Sequence, residues 1–359
     1  MGERQAANHL RKAPDWHLNY NLEVAKSVNI PRCGGVFWAT KDYQMGGTIF
    51  QNISAMLIGM MQSAELKIDS PVTLKQLVGK GQELPSLPEI YLRVSEQLED
   101  EAVTVQQIGD TVQHDPAITS RVLKMVNSAY YGLPNQVSSV AQSVSLLGRE
   151  RLKHILIGSV LRGVFSGQDN PAFSMQEFWQ HSIKTAIIAR QLARQISEIK
   201  EPESMFTAGL LHDIGKLLLI NKFPERMLAA EEYMIQKRVD ILVAELAQIG
   251  VTHTAVGEAL MEHWGLPQLL IDCARNHHEM VHDGPHRTAT HLIYLANNLS
   301  KYVPPLDDSE TQDILDDIEN WDMGYATLEM IASACQHADD MVFEVMESLG
   351  MVALEISSD

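Results

Sequence analysis

From about residue 72 onward, apolar positions recur at helical spacing and keep doing so. "SPVTLKQLVGKGQELPSLPEIYLRVSEQLED" predicts a short helix, a Gly/Pro break, and an amphipathic helix beginning near Pro88. In "VTVQQIGDTVQHDPAITSRVLKMVNSAYYG" Thr104 is placed to cap one helix. Asp115-Pro116 reads as the cap and first turn of the next, with Gly132 and Pro134 as its stop. A second helical block follows the loop-rich "SGQDNPAFS" at 166–174. Alternating β-branched runs framed by hairpin turns are almost absent. The predicted class is all-α.

One segment breaks the amphipathic rule. "FTAGLLHDIGKLLLINKF", residues 206–223, is apolar on nearly every face, the pattern of a helix buried in a large core. Yet His212 and Asp213 stand at its centre, with Lys216 one turn later. A buried unpaired charge is costly, so these groups need a partner, either a metal ion or another charged side chain.

The 359 residues divide by pattern into four stretches. Residues 1–60 have Gly-Gly twice, several Asn and no sustained helical period, and they are expected to be either a poorly ordered or a non-native N-terminal extension. Residues 72–165 form a first helical lobe and 172–300 a second, while acidic amphipathic helices over 305–357 are expected to pack back on the second lobe. Within "NSAYYG", Asn127 is expected to bond backbone, and Tyr130 and Tyr131 to brace the two lobes.

Charge narrows the partners. The net charge is −18, which opposes a nucleic-acid binder. The best basic cluster, Arg149, Arg151, Lys153 and Arg162, reads as a solvated helix face. Three cysteines without a C-x-x-C pair indicate neither a disulfide framework nor a zinc knuckle, and fit a reducing, cytoplasmic setting. The longest apolar run, "ISAMLIGMM" at 53–61, is about half of what a membrane span needs, so no membrane association is expected.

His-Asp dipeptides occur at 114–115, 212–213 and 282–283. The first is explained by capping, and the third lies in a Gly/Pro loop. Only the second sits in an apolar helix. His181, His253 and His277-His278 in the same block are candidate partners. A nitrogen and oxygen set converging from several helices suits Mn, Fe, Zn or a similar divalent ion.

This order of residues resembles the HD metal-dependent phosphohydrolase superfamily. "LPSLPEI", "HDPAITSRVLKMVNSAYYG", "SVAQSVSLLGRERLKHILI", "FWQHS", "AGLLHDIGKLLL", "HTAVGEALMEHWGLP" and "NHHE" resemble one branch of it, the HDOD (HD-related output domain) proteins, over about residues 75–300. The resemblance implies a multi-helix HD-type bundle packed against an N-terminal helical lobe. It implies metal ligation by His181, His212, Asp213 and Asn297, with His253, His277 and His278 holding a second metal or a phosphate. Asp213 and Lys216 are the candidate catalytic residues, Lys216 either contacting a phosphate or neutralising Asp213 beside it. Asn297, in "YLANNLS", stands where the superfamily has aspartate. The exchange removes a negative charge, so a weakly held divalent ion (Mn, Fe, Mg or Zn), or none, is expected. The implied function is a cytoplasmic signal-transduction output module acting on signalling protein partners, with a nucleotide as a candidate ligand. The alternative is a metal-dependent phosphohydrolase acting on a nucleotide or phosphoester. Cyclic-di-GMP phosphodiesterase relatives carry Gly-Tyr-Pro after His-His-Glu, and this chain, "HHEMVHDGPHR", does not.

Overall fold

Residues 71–78, 84–165, 173–279, 283–301 and 326–352 are described by a computed structural model, and among them there is no strand. Expectations for residues 1–60, for His282 and for 305–325 lie outside the described residues.

Local signals set most of the helix starts. Pro88 precedes α2 (Glu89–Glu99), which follows the short α1 (Leu74–Val78). Thr104 caps α3 (Val105–Gln113) through a reciprocal box, its hydroxyl accepting from Gln107 N and its own N–H donating to Gln107 Oε1. Asp115 accepts from Ala117 N and Ile118 N at the head of α4 (Pro116–Val126). That helix ends six residues before Gly132, earlier than the Gly/Pro stop predicts. Asn127 is the reason: its amide donates to Leu123 O and Val137 O while its Oδ1 accepts from Val137 N. The side chain thus stitches the end of α4 to the strandless loop before α5 (Val140–Leu147).

Next comes α6 (Arg149–Val164), whose basic face leaves Arg151 and Arg162 exposed but also fastens neighbouring elements. Arg149 donates to the carbonyls of Gln97, Leu98, Asp100 and Val103, closing the C-terminal end of α2. Lys153 pairs with Glu99, and Arg151 with the buried Glu203 at 3.3 Å.

In the second half, α7 (Met175–Ala193) is the spine, and α8 (Pro202–Leu211), α14 (Arg287–Leu299) and α15 (Leu328–Ser348) lie along it. Between them run α9 (Ile214–Lys222), α10 (Pro224–Lys237), α11 (Ile241–Gln248), α12 (His253–His263) and α13 (Gln268–Asn276). One apolar cluster reaches from Leu87 to Met351, so both halves share a core. A smaller one joins Val72 and Leu77 to Leu218, Ile249 and Val256, docking α1 on the second half of the chain.

The halves are also joined by a buried charge. Arg190 of α7 makes a two-pronged pair with Glu203 of α8, both 3% exposed. Its guanidinium lies 4.4 Å from the Tyr130 ring centre and 5.4 Å from that of Tyr131. Tyr130 also packs on Phe206 of α8. The tyrosines of "NSAYYG" therefore brace the first half against the second, and Glu344 of α15 accepts from Ala129 N in the same loop.

Segment 206–223 is two helices, not one. α8 stops at Leu211 and α9 starts at Ile214, so His212-Asp213 forms the corner between them. Adjacent residues inside a helix point about 100° apart. The corner instead brings both side chains into the same buried space.

Candidate metal centre

Five elements deliver side chains to this corner. His181 comes from α7, His212 and Asp213 from the turn, Lys216 from α9, His253 from the first position of α12, and His277-His278 from the end of α13. Close approach of α9 and α12 sets their spacing: a Cβ on Gly215 would lie 2.0 Å from the carbonyl oxygen of His253. Only a residue without a side chain admits this crossing.

Asp213 is the hub. Its Oδ2 lies 2.7 Å from Lys216 Nζ, 3.4 Å from His212 Nε2 and 3.6 Å from His181 Nε2. Its Oδ1 lies 3.2 Å from His277 Nε2 and 3.3 Å from His253 Nε2. His212, His253 and His277 are fully buried and Asp213 nearly so. His181, Lys216 and His278 keep a partial opening to solvent.

The outer nitrogens decide the tautomers. His212 Nδ1 faces the carbonyl of Gly209 at 2.7 Å, and His277 Nδ1 that of Ala274 at 2.8 Å. A carbonyl only accepts, so both Nδ1 atoms carry hydrogen. Ser300 Oγ gives its proton to Asn297 O and therefore accepts from His181 Nδ1. Glu245 accepts from His253 Nδ1 and from His253 N, each at 2.8 Å. Each Nε2 lone pair consequently points inward at Asp213. The Nε2 atoms of His181 and His212 are 3.3 Å apart, as are those of His253 and His277, and in the neutral tautomers no hydrogen lies between them.

Such a set of lone pairs around a carboxylate is the donor pattern of a cation site, in which outer acceptors orient each imidazole. Two buried atoms make the fit specific. Asp213 Oδ1 and His278 Nε2 have no hydrogen-bond partner. Asp213, His253, His277 and His278 offer donor atoms that all lie within 4.8 Å of one another, and so do His181, His212 and Asp213. The residues present fit a divalent ion. When bound, it would supply the positive charge that polarises a phosphoryl oxygen.

Burial favours the neutral imidazole at His181, His277 and His278. Burial pushes the His277 imidazolium down to about 3. Burial and the neighbouring His212 hold His181 well below the usual histidine range, and burial with His277 does the same to His278. His253 is the exception: burial lowers it, but Glu245 and Asp213 together outweigh burial and raise it. Burial alone would raise Asp213, yet His212 and Lys216 hold its carboxyl well below the usual range.

The structure thus gathers His181, His212, Asp213, Lys216, His253, His277 and His278. Asn297 is 3% exposed on α14, where its carbonyl supports Ser300 beneath His181. Sequence reading missed Ser300 and Glu245. Glu245 did leave a signal, as the lone charge in the apolar run "ILVAELA" eight residues before His253.

Comparison with known proteins agrees on the fold. A proposed phosphohydrolase of Shewanella amazonensis SB2B superposes with a TM-score of 0.63 at 23% identity, over 78% of this chain and 98% of that one. An HDOD domain protein of unknown function from Geobacter sulfurreducens gives 0.59 at 20%, over 85% and 100%. A proposed signal transduction protein of Marinobacter aquaeolei VT8 gives 0.58 at 25%, over 83% and 66%. An uncharacterized protein of Treponema pallidum (strain Nichols) is 23% identical over 232 residues, 65% of this chain and 44% of that protein, so the chain spans less than half of that relative. No described helix is long and apolar enough to cross a membrane. The HDOD domain family matches residues 84–280, more than half of the chain, and the chain belongs to that family.

Proposed function

We propose that this chain is a signal-transduction output module that acts through protein contacts, with its His/Asp centre holding a cation as an internal structural or regulatory element. The observation that carries this reading is enclosure. Three of the imidazoles are fully buried, and the Asp213 oxygen facing His181 and His212 is already taken by Lys216. A phosphoester would have to displace that ion pair to reach the His181 and His212 side of the carboxylate. Asn297 supports the same reading, because a neutral side chain stands where the superfamily's carboxylate would add charge.

The phosphohydrolase reading rests on the same cluster and is tested directly. The full chain, supplied in turn with Mn, Fe, Mg and Zn, is assayed against phosphomonoesters, nucleotides and cyclic dinucleotides beside Asp213→Asn. The output reading expects turnover no greater than that of the variant. Turnover that depends on both metal and Asp213 would replace it with the enzyme reading. Cytoplasmic location belongs to the output reading, and chemical cross-linking of the tagged chain in its own cells is the route to the partner.

A further inference from the structure

We propose that the two halves of the centre are unequal: a cation binds between Asp213 Oδ1, His253, His277 and His278, while Lys216 serves as a built-in cation closing the half formed by His181 and His212. This rests on the reading of the cluster as a cation site and goes beyond it by assigning the half that loads.

The asymmetry begins at Asp213. Its Oδ2, the oxygen that His181 and His212 face, receives the Lys216 ammonium at 2.7 Å. A divalent ion there would sit against a fixed positive charge and compete for the same oxygen. Oδ1 has no such occupant. It is buried without a hydrogen-bond partner, and the other buried donor lacking one, His278 Nε2, belongs to the same half.

Charge counting favours this half as well. Lys216 balances Asp213, which leaves Glu245. That carboxylate is fully buried, and among the described residues it forms an ion pair only with His253. Its negative charge is passed through the imidazole, with Nδ1–H donating to Glu245 and Nε2 facing inward. Glu245 is thus the positioning residue of this half: it fixes the His253 tautomer and makes its Nε2 a stronger donor. The opposite half has only neutral supports, the Gly209 carbonyl behind His212 and the Ser300 hydroxyl behind His181.

A proton on His253 is the competing way to balance Glu245. Its one Nε2 hydrogen could go to only one acceptor, Asp213 Oδ1 or His277 Nε2, each 3.3 Å away, and would leave the other bare, with His278 Nε2 still unpartnered. One cation among the four donors satisfies all of them.

The test measures bound metal, not activity. The purified full chain is stripped, dialysed against Zn or Mn, and assayed by elemental analysis and chelator competition. Wild type is expected to hold one equivalent. His278→Ala and Glu245→Gln should each weaken binding by about 10- to 100-fold. His181→Ala should keep the equivalent, and Lys216→Met should raise loading of the His181–His212 side. Circular dichroism and thermal melting of the stripped variants exclude unfolding, with His278→Gln and His181→Gln as substitutes where the alanine variant does not fold. Loss of metal in the His181 variant with retention in the His278 variant would overturn the proposal. So would a lower metal content in Lys216→Met, or two equal equivalents in wild type. A wild type that takes up no ion overturns the cation reading itself, which separates that failure from a wrong assignment of halves.

Discussion

Replacing Arg190 by methionine removes the charge that ties α7 to α8 and to the Tyr130 loop while keeping most of the side-chain volume. Arg190 and Glu203 are each 3% exposed, so the change strands a buried carboxylate. Breaking a buried pair from one side costs about 3–5 kcal/mol. Loss of the guanidinium from the Tyr130 face, 4.4 Å away, adds about 1–2 kcal/mol. Arg151, 3.3 Å from Glu203 but half exposed, compensates part of this. The expected net loss is about 3–5 kcal/mol, a large share of the about 5–15 kcal/mol that holds a domain folded. Urea unfolding of wild type, Arg190→Met, Glu203→Gln and the double variant at neutral pH measures it. The double variant should recover much of the loss, with a coupling of at least about 2 kcal/mol. Arg190→Met within about 1 kcal/mol of wild type, with additive effects, would refute the idea that this buried pair holds α7 to α8.

Three further outcomes are expected. Gly215→Ala should destabilise the chain by about 1–3 kcal/mol or more and weaken metal binding, because its Cβ would meet the His253 carbonyl at 2.0 Å and drive α9 from α12; melting and metal titration read both. His154, lowered to about 4 by burial and bonded to Thr207, takes up its proton at lower pH when folded than when unfolded. Stability should therefore fall as pH drops below about 6.5 toward 4, since the unfolded chain then binds more protons. Replacing His154 by glutamine should flatten that part of a stability–pH curve. Asn297→Asp should raise metal loading on the His181 side, because it adds a negative charge beside that half, and should lower the stability of the stripped protein; elemental analysis and melting check the two signs.

Helix starts were legible because capping is local: Thr104, Asp115 and Pro116 do their work within three residues. The end of α4 was not, since Asn127 closes it through Val137, ten residues away. The donors of the centre could be read from their types and order. The break between α8 and α9 was hidden, because apolar residues on every face carry no period to interrupt. Lys216 could be placed beside Asp213 by its spacing of three residues. Which oxygen it takes, and that Glu245 stands behind His253, depends on helices packing from distant parts of the chain. The basic cluster on α6 shows the same limit: Arg149 and Arg151 look solvent-facing in sequence but bind carbonyls and a carboxylate of other helices.

The most direct test of the account is an anomalous-scattering map from crystals of the full chain grown with Mn or Zn. A single strong peak is expected beside Asp213 Oδ1, bounded by His253, His277 and His278, with Lys216 still paired to Oδ2. A dominant peak between His181 and His212, with Lys216 displaced, would contradict it.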